Sequence, residues 1–218
     1  MGRGYRSAMG KQRPMLAAVM AGAGVVGLYR WVVQPRMYNW GATAEEVAAV
    51  LPGDDLVEPG SPRTTRAVSI AAPPEAVWPW LAQIGEDRGG FYSYDWLERV
   101  AGAKIHNADA VHPEWQDLGV GDTVWLARRY GQNASQVVAA VEPKSYLVLM
   151  SPADFERVQR GEKAFGSWAF YLRPQGGGTR LLARGTGGTV GVTSFDIPHF
   201  VMERGMLRGI RNRAGSVR

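Results

Sequence analysis

The sequence predicts an α+β domain with an antiparallel sheet and a long C-terminal helix, preceded by an apolar membrane-anchor helix. Three observations lead to this prediction. Five strand-like runs, separated by turn residues, follow one another between Thr123 and Ala183. A segment with helical spacing of apolar residues begins at Asp196 and continues to about Arg213. Near the N-terminus, the run from Met15 to Val33 contains a single charged residue and follows a basic segment.

Composition and charge narrow the classes of function. Of the 218 residues, 45% are hydrophobic and 21% are charged, as in globular proteins, and the absence of cysteine excludes disulfides and thiolate metal sites. The net charge of +5 is unevenly distributed, because residues 41–203 hold 14 basic and 20 acidic side chains while both ends are purely basic. An acidic body lacks the electropositive face that phosphate binding requires, so nucleic acid is not an expected partner.

The first 62 residues divide into a basic segment (1–14), a membrane-anchor helix (15–33) and a linker with a short helix (34–62). As an α-helix, residues 15–33 reach about 28 Å, close to the thickness of a bilayer's hydrocarbon core. More basic residues precede this run than follow it, which favours a cytoplasmic N-terminus and an extracytoplasmic domain.

Two alternatives exist for the N-terminal run. The small residues 21–23 have the form of a signal-peptide cleavage site, but they would leave a short apolar region of about seven residues. Residues 22–27 match a dinucleotide-binding glycine loop, yet the second strand with its acidic ribose ligand does not follow. The uncleaved anchor is therefore the favoured interpretation.

The linker and the start of the domain, which spans 63–214, carry helix and strand signals. Thr43 and Glu46 form a capping box, which predicts a short helix that ends before Pro52. A first strand is predicted over residues 65–71, followed by a helix over residues 77–85 that Pro79 kinks or starts. A second short helix is expected from Ser93 to Gly102.

The second half reads as a meander of antiparallel hairpins with a glycine turn at residues 176–178. The predicted strands are rich in β-branched and aromatic residues and cover Thr123–Ala127, Gln136–Val141, Tyr146–Ser151, Ser167–Leu172 and Thr179–Ala183. Asp196 and Pro198 then begin the longest helix of the domain.

This element order, together with several short sequence words, resembles the START-like (SRPBCC) superfamily, whose sheet grips the last helix. The words that carry the resemblance lie at residues 73–78, 90–95, 112–114, 121–122, 167–170 and 202–204. They are similar to an uncharacterised bacterial branch of polyketide cyclase-like proteins with an N-terminal anchor. The resemblance covers about residues 40–213 and implies a helix-grip fold with a cavity for a lipid-like or polyketide-like ligand.

Glu203 is the candidate polar residue of the last helix. It lies within the apolar stripe that Met206, Leu207, Ile210 and Ala214 form at 100° per residue, so its carboxylate is expected to face the cavity, paired with Arg180 or Arg184 of the last strand. In the alternative interpretation, Glu203 only complements the helix dipole and both arginines are solvated.

Other polar clusters are weaker candidates. His106, Asp109 and His112 have a spacing that could bind a metal, but loop histidines are more often turn-forming and exposed. A hydrolase triad has no Gly-x-Ser-x-Gly elbow to support it. Tyr92, Tyr94 and Asp95 could transfer protons in a cyclase-like enzyme, although helix capping explains most of that cluster.

The predicted ligand-binding side chains surround the space between the last helix and the sheet, with the entrance near residues 91–96. They are Phe91, Tyr92, Tyr94, Trp96, Trp125, Trp168, Phe170, Arg180, Arg184, Glu203, Met206 and Ile210. No metal ligand, cofactor or catalytic residue is predicted. The favoured function is a membrane-tethered, non-enzymatic binder of a hydrophobic small molecule or lipid. The alternatives are a polyketide cyclase-like or dehydratase-like enzyme and a protein-interaction module without ligand.

The anchor prediction is testable by fractionation. We expect the full chain to sediment with membranes and to resist extraction with high salt, because burial of an apolar helix does not depend on ionic strength. A shortened chain that begins at Gly41 is expected to stay in the supernatant. Release of the full chain by salt alone would contradict the anchor.

Overall fold

The structure, a computed structural model, describes residue 24, residues 26–94 and residues 105–216. The chain forms two units, Met1–Tyr38 and Asn39–Arg218. In the first unit, a π-helical turn at Tyr29–Val33 continues into helix α1 (Gln34–Tyr38). Most of the predicted anchor helix lies outside the described residues. Among the described helices, none combines the length and the apolar character that a membrane span needs.

An antiparallel sheet forms the centre of the second unit. Within the described residues it has six strands in the order β1-β6-β5-β4-β3-β2, each antiparallel to its neighbours. The strands are β1 (Arg63–Ile70), β2 (Thr123–Trp125), β3 (Ser135–Glu142), β4 (Tyr146–Met150), β5 (Gly166–Gln175) and β6 (Gly178–Gly187). The predicted meander is therefore confirmed, and the first strand joins it beside the last.

The two faces of the sheet bury different apolar clusters, because successive side chains of a strand point to opposite faces. On the inner face, Phe170 and Leu181 belong to the main core. On the outer face, Tyr171 and Leu182 pack in a smaller cluster with Leu51 from the segment before β1.

The last helix of the domain covers the inner face. It runs over Thr193–Gly215, and its predicted apolar stripe lies in the main core. None of the stripe residues is more than 2% exposed: Met206, Leu207, Ile210 and Ala214. This sheet and closing helix (α5 below) confirm the predicted α+β class and the helix-grip arrangement.

Glycines on this helix let another segment approach it closely. A Cβ atom on Gly209 would come within 2.0 Å of the Tyr92 carbonyl oxygen, and one on Gly205 within 2.7 Å of Ser93 Oγ. Ser93 Oγ also donates a hydrogen bond of 2.9 Å to the Met202 carbonyl. The segment that carries Phe91 is thereby fixed against the helix.

The shorter helices of the second unit are α2 (Ala44–Ala48), α3 (Pro74–Ala82) and α4 (Pro152–Gln159), and they precede α5 in the chain. Helix α2 begins at the predicted capping box. Helix α3 begins at Pro74 and continues through Pro79, so Pro79 is not its start. Helix α4 was not predicted, although Ser151 caps it and Pro152 occupies its first turn.

Residues 39–62 of the predicted linker belong to the second unit, and Leu51 of this segment is buried on the outer face of the sheet. The reason is Arg184 on β6, which is 1% exposed. Its guanidinium donates hydrogen bonds to the carbonyls of three residues at the end of α2 and to the Asp54 carboxylate at 2.7 Å. Helix carbonyls without an intrahelical partner are thus satisfied by a side chain of the sheet.

Two further sequence predictions fall outside the described residues. They are the short helix after Ser93, of which only residues 93 and 94 are described, and the site residue Trp96.

Substituting Ile210 by alanine tests the helix-grip core. Ile210 is fully buried in the main core, so Ile210→Ala is expected to lower the free energy of unfolding by about 2–5 kcal/mol. Denaturant titration followed by circular dichroism measures this change. The control is Arg211→Ala at the next, exposed position, which is expected to change stability by less than about 0.5 kcal/mol. Equal effects of the two substitutions would contradict the assignment.

Candidate ligand-binding site

A cavity of about 490 Å³ lies between the inner face of the sheet and the first half of α5. Most of the lining surface is apolar, and the residues that contribute to it include Phe91, Ile105, Leu126, Trp168, Phe195 and Met206. Tyr130 and Phe195 line the cavity and are 51% and 42% exposed, so the cavity reaches the surface at these two residues.

Small residues on β6 explain why the core is not filled here. Along the inner face of this strand, Leu181 is followed by Ala183 and Gly185. The side chains shorten toward the end of the strand, while α5 begins beside this end of the sheet. The space between helix and sheet therefore stays open near Gly185 and is closed by packing near Leu181.

One polar cluster interrupts the apolar wall. It consists of Arg66 on β1, Trp168 on β5, and His199 and Glu203 on α5, and all four line the cavity. Arg66 Nη1 donates to Glu203 Oε2 at 2.6 Å, and Trp168 Nε1 donates to Glu203 Oε1 at 2.6 Å. Arg66 Nη1 also lies 3.3 Å from His199 Nδ1. These contacts join the first strand, an inner strand and the last helix.

Glu203 is ionised in this setting. Its side chain is 1% exposed, and burial alone would raise its pKa. The charge of Arg66, together with the hydrogen bonds from Arg66 and Trp168, outweighs burial and holds the pKa of Glu203 below its ordinary value. Since the carboxylate is charged at neutral pH, it acts as an acceptor and not as a proton donor.

His199 is neutral, and its tautomer follows from its neighbour. Burial lowers the pKa of His199, and the positive charge of Arg66 lowers it further against the opposing effects of Glu203 and Asp196. A guanidinium has only hydrogens to offer, so at 3.3 Å His199 Nδ1 is the acceptor. The ring proton of the neutral imidazole is therefore on Nε2, 4.0 Å from Glu203 Oε1. Phe195 stacks on the same ring at 5.2 Å.

The structure places the predicted ligand-binding residues in different environments. Phe91, Trp168, Glu203 and Met206 line the cavity. Phe170 and Ile210 are fully buried in the adjacent core.

Tyr92, Tyr94 and Trp125 do not line the cavity. Tyr94 is 39% exposed, and Trp125 lies under the Arg128 guanidinium at 5.6 Å. Tyr92 is buried, its hydroxyl accepts a hydrogen bond from Gln83, and burial raises its pKa. Phe91, in contrast, is buried and lines the cavity.

The predicted partners of Glu203 are wrong. Arg180 and Arg184 lie on the outer face of the sheet, where they pair with Glu46 and Asp54 at 2.7 Å each. The reason is the two-residue alternation of strand β6, which directs Leu181 and Ala183 toward the helix and the even-numbered positions away from it. The charge that pairs with Glu203 is on β1 instead.

Sequence reasoning missed Arg66 and His199. On the inner face of β1, Arg66 lies between Thr64 and Val68. An arginine at an inward-facing position of an alternating strand is the sequence signal that could have identified it. His199 precedes Glu203 by four residues and therefore shares its side of the helix.

The residues of the possible metal site make other contacts instead. His112 pairs with Glu114 at 3.2 Å, and Asp109 pairs with Arg213 at 3.2 Å. Within residues 24, 26–94 and 105–216, no group of three His, Asp or Glu side chains is arranged to hold a metal ion.

The strand order, the closing helix and the cavity between them define a helix-grip fold. Solved structures similar to this chain include protein MLL2253 from Mesorhizobium loti, with a TM-score of 0.40 and 15% identity over 72% of this chain and 99% of that one. The Aha1 dimer from Colwellia psychrerythraea has a TM-score of 0.42 and 13% identity over 71% and 98%. The Polyketide_cyc-like protein Cgl2372 from Corynebacterium glutamicum has a TM-score of 0.35 and 16% identity over 71% and 91%.

These likenesses are remote, and the fold assignment rests on the strand order and closing helix of this chain. No protein-family model and no curated protein sequence matches the chain.

The buried cluster predicts a pH-dependent stability. Because the pKa of His199 is lowered in the folded domain, the unfolded chain binds a proton first as the pH falls below about 6.5, and the free energy of unfolding decreases. Glu203, whose pKa is also lowered, adds a further loss as the pH falls below its ordinary value of 4.5. Denaturant titrations between neutral and acidic pH measure both losses.

The variant His199→Gln is expected to remove the first loss. His112→Gln, at a side chain that is 39% exposed, serves as the matched control and is expected to retain it. Identical pH profiles for the two variants would show that His199 is not the group responsible.

Proposed function

We propose that this domain binds an apolar small molecule in the cavity beneath α5 and holds it without chemical change, while the N-terminal segment tethers the protein to a membrane. The observation that carries the proposal is the cavity of about 490 Å³ with its mainly apolar and aromatic wall. Ligand pockets in proteins usually measure about 300–1,000 Å³ and have walls of this kind.

The physical chemistry of the cavity favours an apolar guest over water. Water needs several polar partners, and an apolar wall offers few of them. Burying about 300 Å² of apolar ligand surface contributes roughly 7 kcal/mol before the costs of association. Those costs leave micromolar binding when they are small, so the proposal includes moderate affinity and loose selectivity.

The polar cluster supports binding more than catalysis. Both carboxylate oxygens of Glu203 already accept strong hydrogen bonds, and its lowered pKa leaves no proton to donate at neutral pH. The lone pair of His199 Nδ1 accepts from Arg66, so it is not available as a base. Tyr92, the buried tyrosine of the alternative proton-transfer cluster, has a raised pKa and does not line the cavity.

The cavity also favours the proposed binding function over that of a ligand-free interaction module. Such a module needs only a filled core, whereas a cavity of this size costs stability unless a guest occupies it. The membrane tether rests on the sequence, since the uncharged run between basic residues lies mostly outside the described part of the chain.

A cavity-filling substitution tests the proposal. Leu126 lines the cavity, so Leu126→Trp is expected to weaken the binding of palmitic acid, cholesterol or anthracene by about tenfold or more, which is at least 1.4 kcal/mol. Native mass spectrometry and competition titrations with the full chain measure the affinities. Val120→Trp adds the same side chain at a position that is 58% exposed and is expected to leave binding unchanged. Absence of binding by the unsubstituted protein would contradict the proposal.

A further inference from the structure

Two atoms of the polar cluster form an incomplete pair in the cavity wall. His199 Nε2 and Glu203 Oε1 are 4.0 Å apart, which is too far for a direct hydrogen bond. Within residues 24, 26–94 and 105–216, no hydrogen bond is made by Nε2. The cavity wall therefore contains an N–H group whose hydrogen-bonding capacity is unused.

The acceptor side of the pair also has spare capacity. Glu203 Oε1 accepts one hydrogen bond, from Trp168 Nε1, and a carboxylate oxygen can accept two. Oε1 belongs to an ionised group, so a second hydrogen bond to it is charge-assisted and strong. His199 Nε2 and Glu203 Oε1 thus present a donor and an acceptor side by side in the cavity wall, and the distance between them leaves room for one atom.

The distance selects the group that fits this gap. An oxygen placed about 2.8–2.9 Å from both atoms spans 4.0 Å with an angle of roughly 90° at the oxygen, within the range of ordinary hydrogen-bond geometry. That oxygen must accept from His199 Nε2 and donate to Glu203 Oε1. A hydroxyl group does both, whereas an ether or ketone only accepts.

We propose that His199 and Glu203 form a subsite for the hydroxyl group of an apolar alcohol, with the rest of the molecule in the apolar cavity. This inference rests on the proposed binding function and specifies its ligand class. Two neighbours fix the imidazole of His199 in place. Phe195 stacks on the ring, and Arg66 donates a hydrogen bond to its Nδ1.

The same geometry disfavours other classes of ligand. An ionised carboxylate has no hydrogen to donate and would lie beside the negative charge of Glu203. A pure hydrocarbon would leave the Nε2–H group buried without a partner, which is unfavourable. The subsite therefore discriminates by hydrogen bonding, while the mainly apolar surface of the cavity recognises the rest of the ligand.

Matched probes of equal length test the subsite in the full chain. Dodecanol is expected to bind about tenfold or more tightly than dodecane and than dodecanoate at pH 7.5. Cholesterol and cholestane form a second alcohol–hydrocarbon pair, which distinguishes a polycyclic alcohol from a straight-chain one. Competition titrations followed by native mass spectrometry give the ratios.

Substitution of His199 separates the hydrogen bond from packing. His199→Phe keeps an aromatic ring against Phe195 and removes the N–H group, so the preference for dodecanol over dodecane is expected to fall close to one while dodecane binding is retained. His199→Gln carries an acceptor for Arg66 and an amide donor, so it is expected to restore part of the preference. His112→Phe, at a partly exposed position outside the cavity, is the control and keeps the full preference.

Each outcome decides between the two proposals. Equal binding of dodecanol and dodecane by the unsubstituted protein would overturn the hydroxyl subsite but not the apolar binding function. A water molecule that occupies the gap and that the alcohol cannot displace would have the same consequence. Failure of every probe to bind would overturn both. If His199→Phe does not fold, the ratios measured with the unsubstituted protein still decide the question.

Discussion

The buried ion pair between Arg66 and Glu203 is the interaction on which this domain depends most. It joins the first strand to the last helix across 137 residues of sequence, with both side chains 1% exposed. Removing two charges from water is costly, and the cost is offset only when every hydrogen-bonding atom has a partner. The indole of Trp168 donates to Glu203 and the ring of His199 accepts from Arg66, so both neighbours offset part of this cost.

The β1–β6 ladder places one buried arginine on each face of the sheet. Thr65 is opposite Arg184 in the ladder, and the next pair is Arg66 and Ala183. Arg66 points inward and fixes the closing helix, while Arg184 points outward and fixes the segment before β1 through Asp54 and the end of α2. Two long-range connections of the domain are therefore made from adjacent positions of one strand pair.

The cavity and the ion pair support one another. The small inner-face residues Ala183 and Gly185 leave space beside Arg66. The side chains of the polar cluster fill part of this space and neutralise the charge of Arg66. The rest of the wall is mainly apolar surface, with several polar side chains besides His199. A mainly apolar cavity with a directional polar feature at α5 is the consequence.

Periodicity and turn chemistry determined most of the fold from the sequence alone, because they depend on neighbouring residues. The strand runs, the glycine turn after β5 and the buried stripe of α5 at Met206 and Ile210 all follow from local spacing. The sequence also placed Glu203 on the cavity side of that helix. Only the tertiary structure decided its partner, because one arginine among several is selected by strand register, and a shift of one residue moves a side chain to the opposite face. The roles of Arg66 and His199, like the packing of the supposed linker, depend on contacts between residues more than 100 positions apart, which no local pattern encodes.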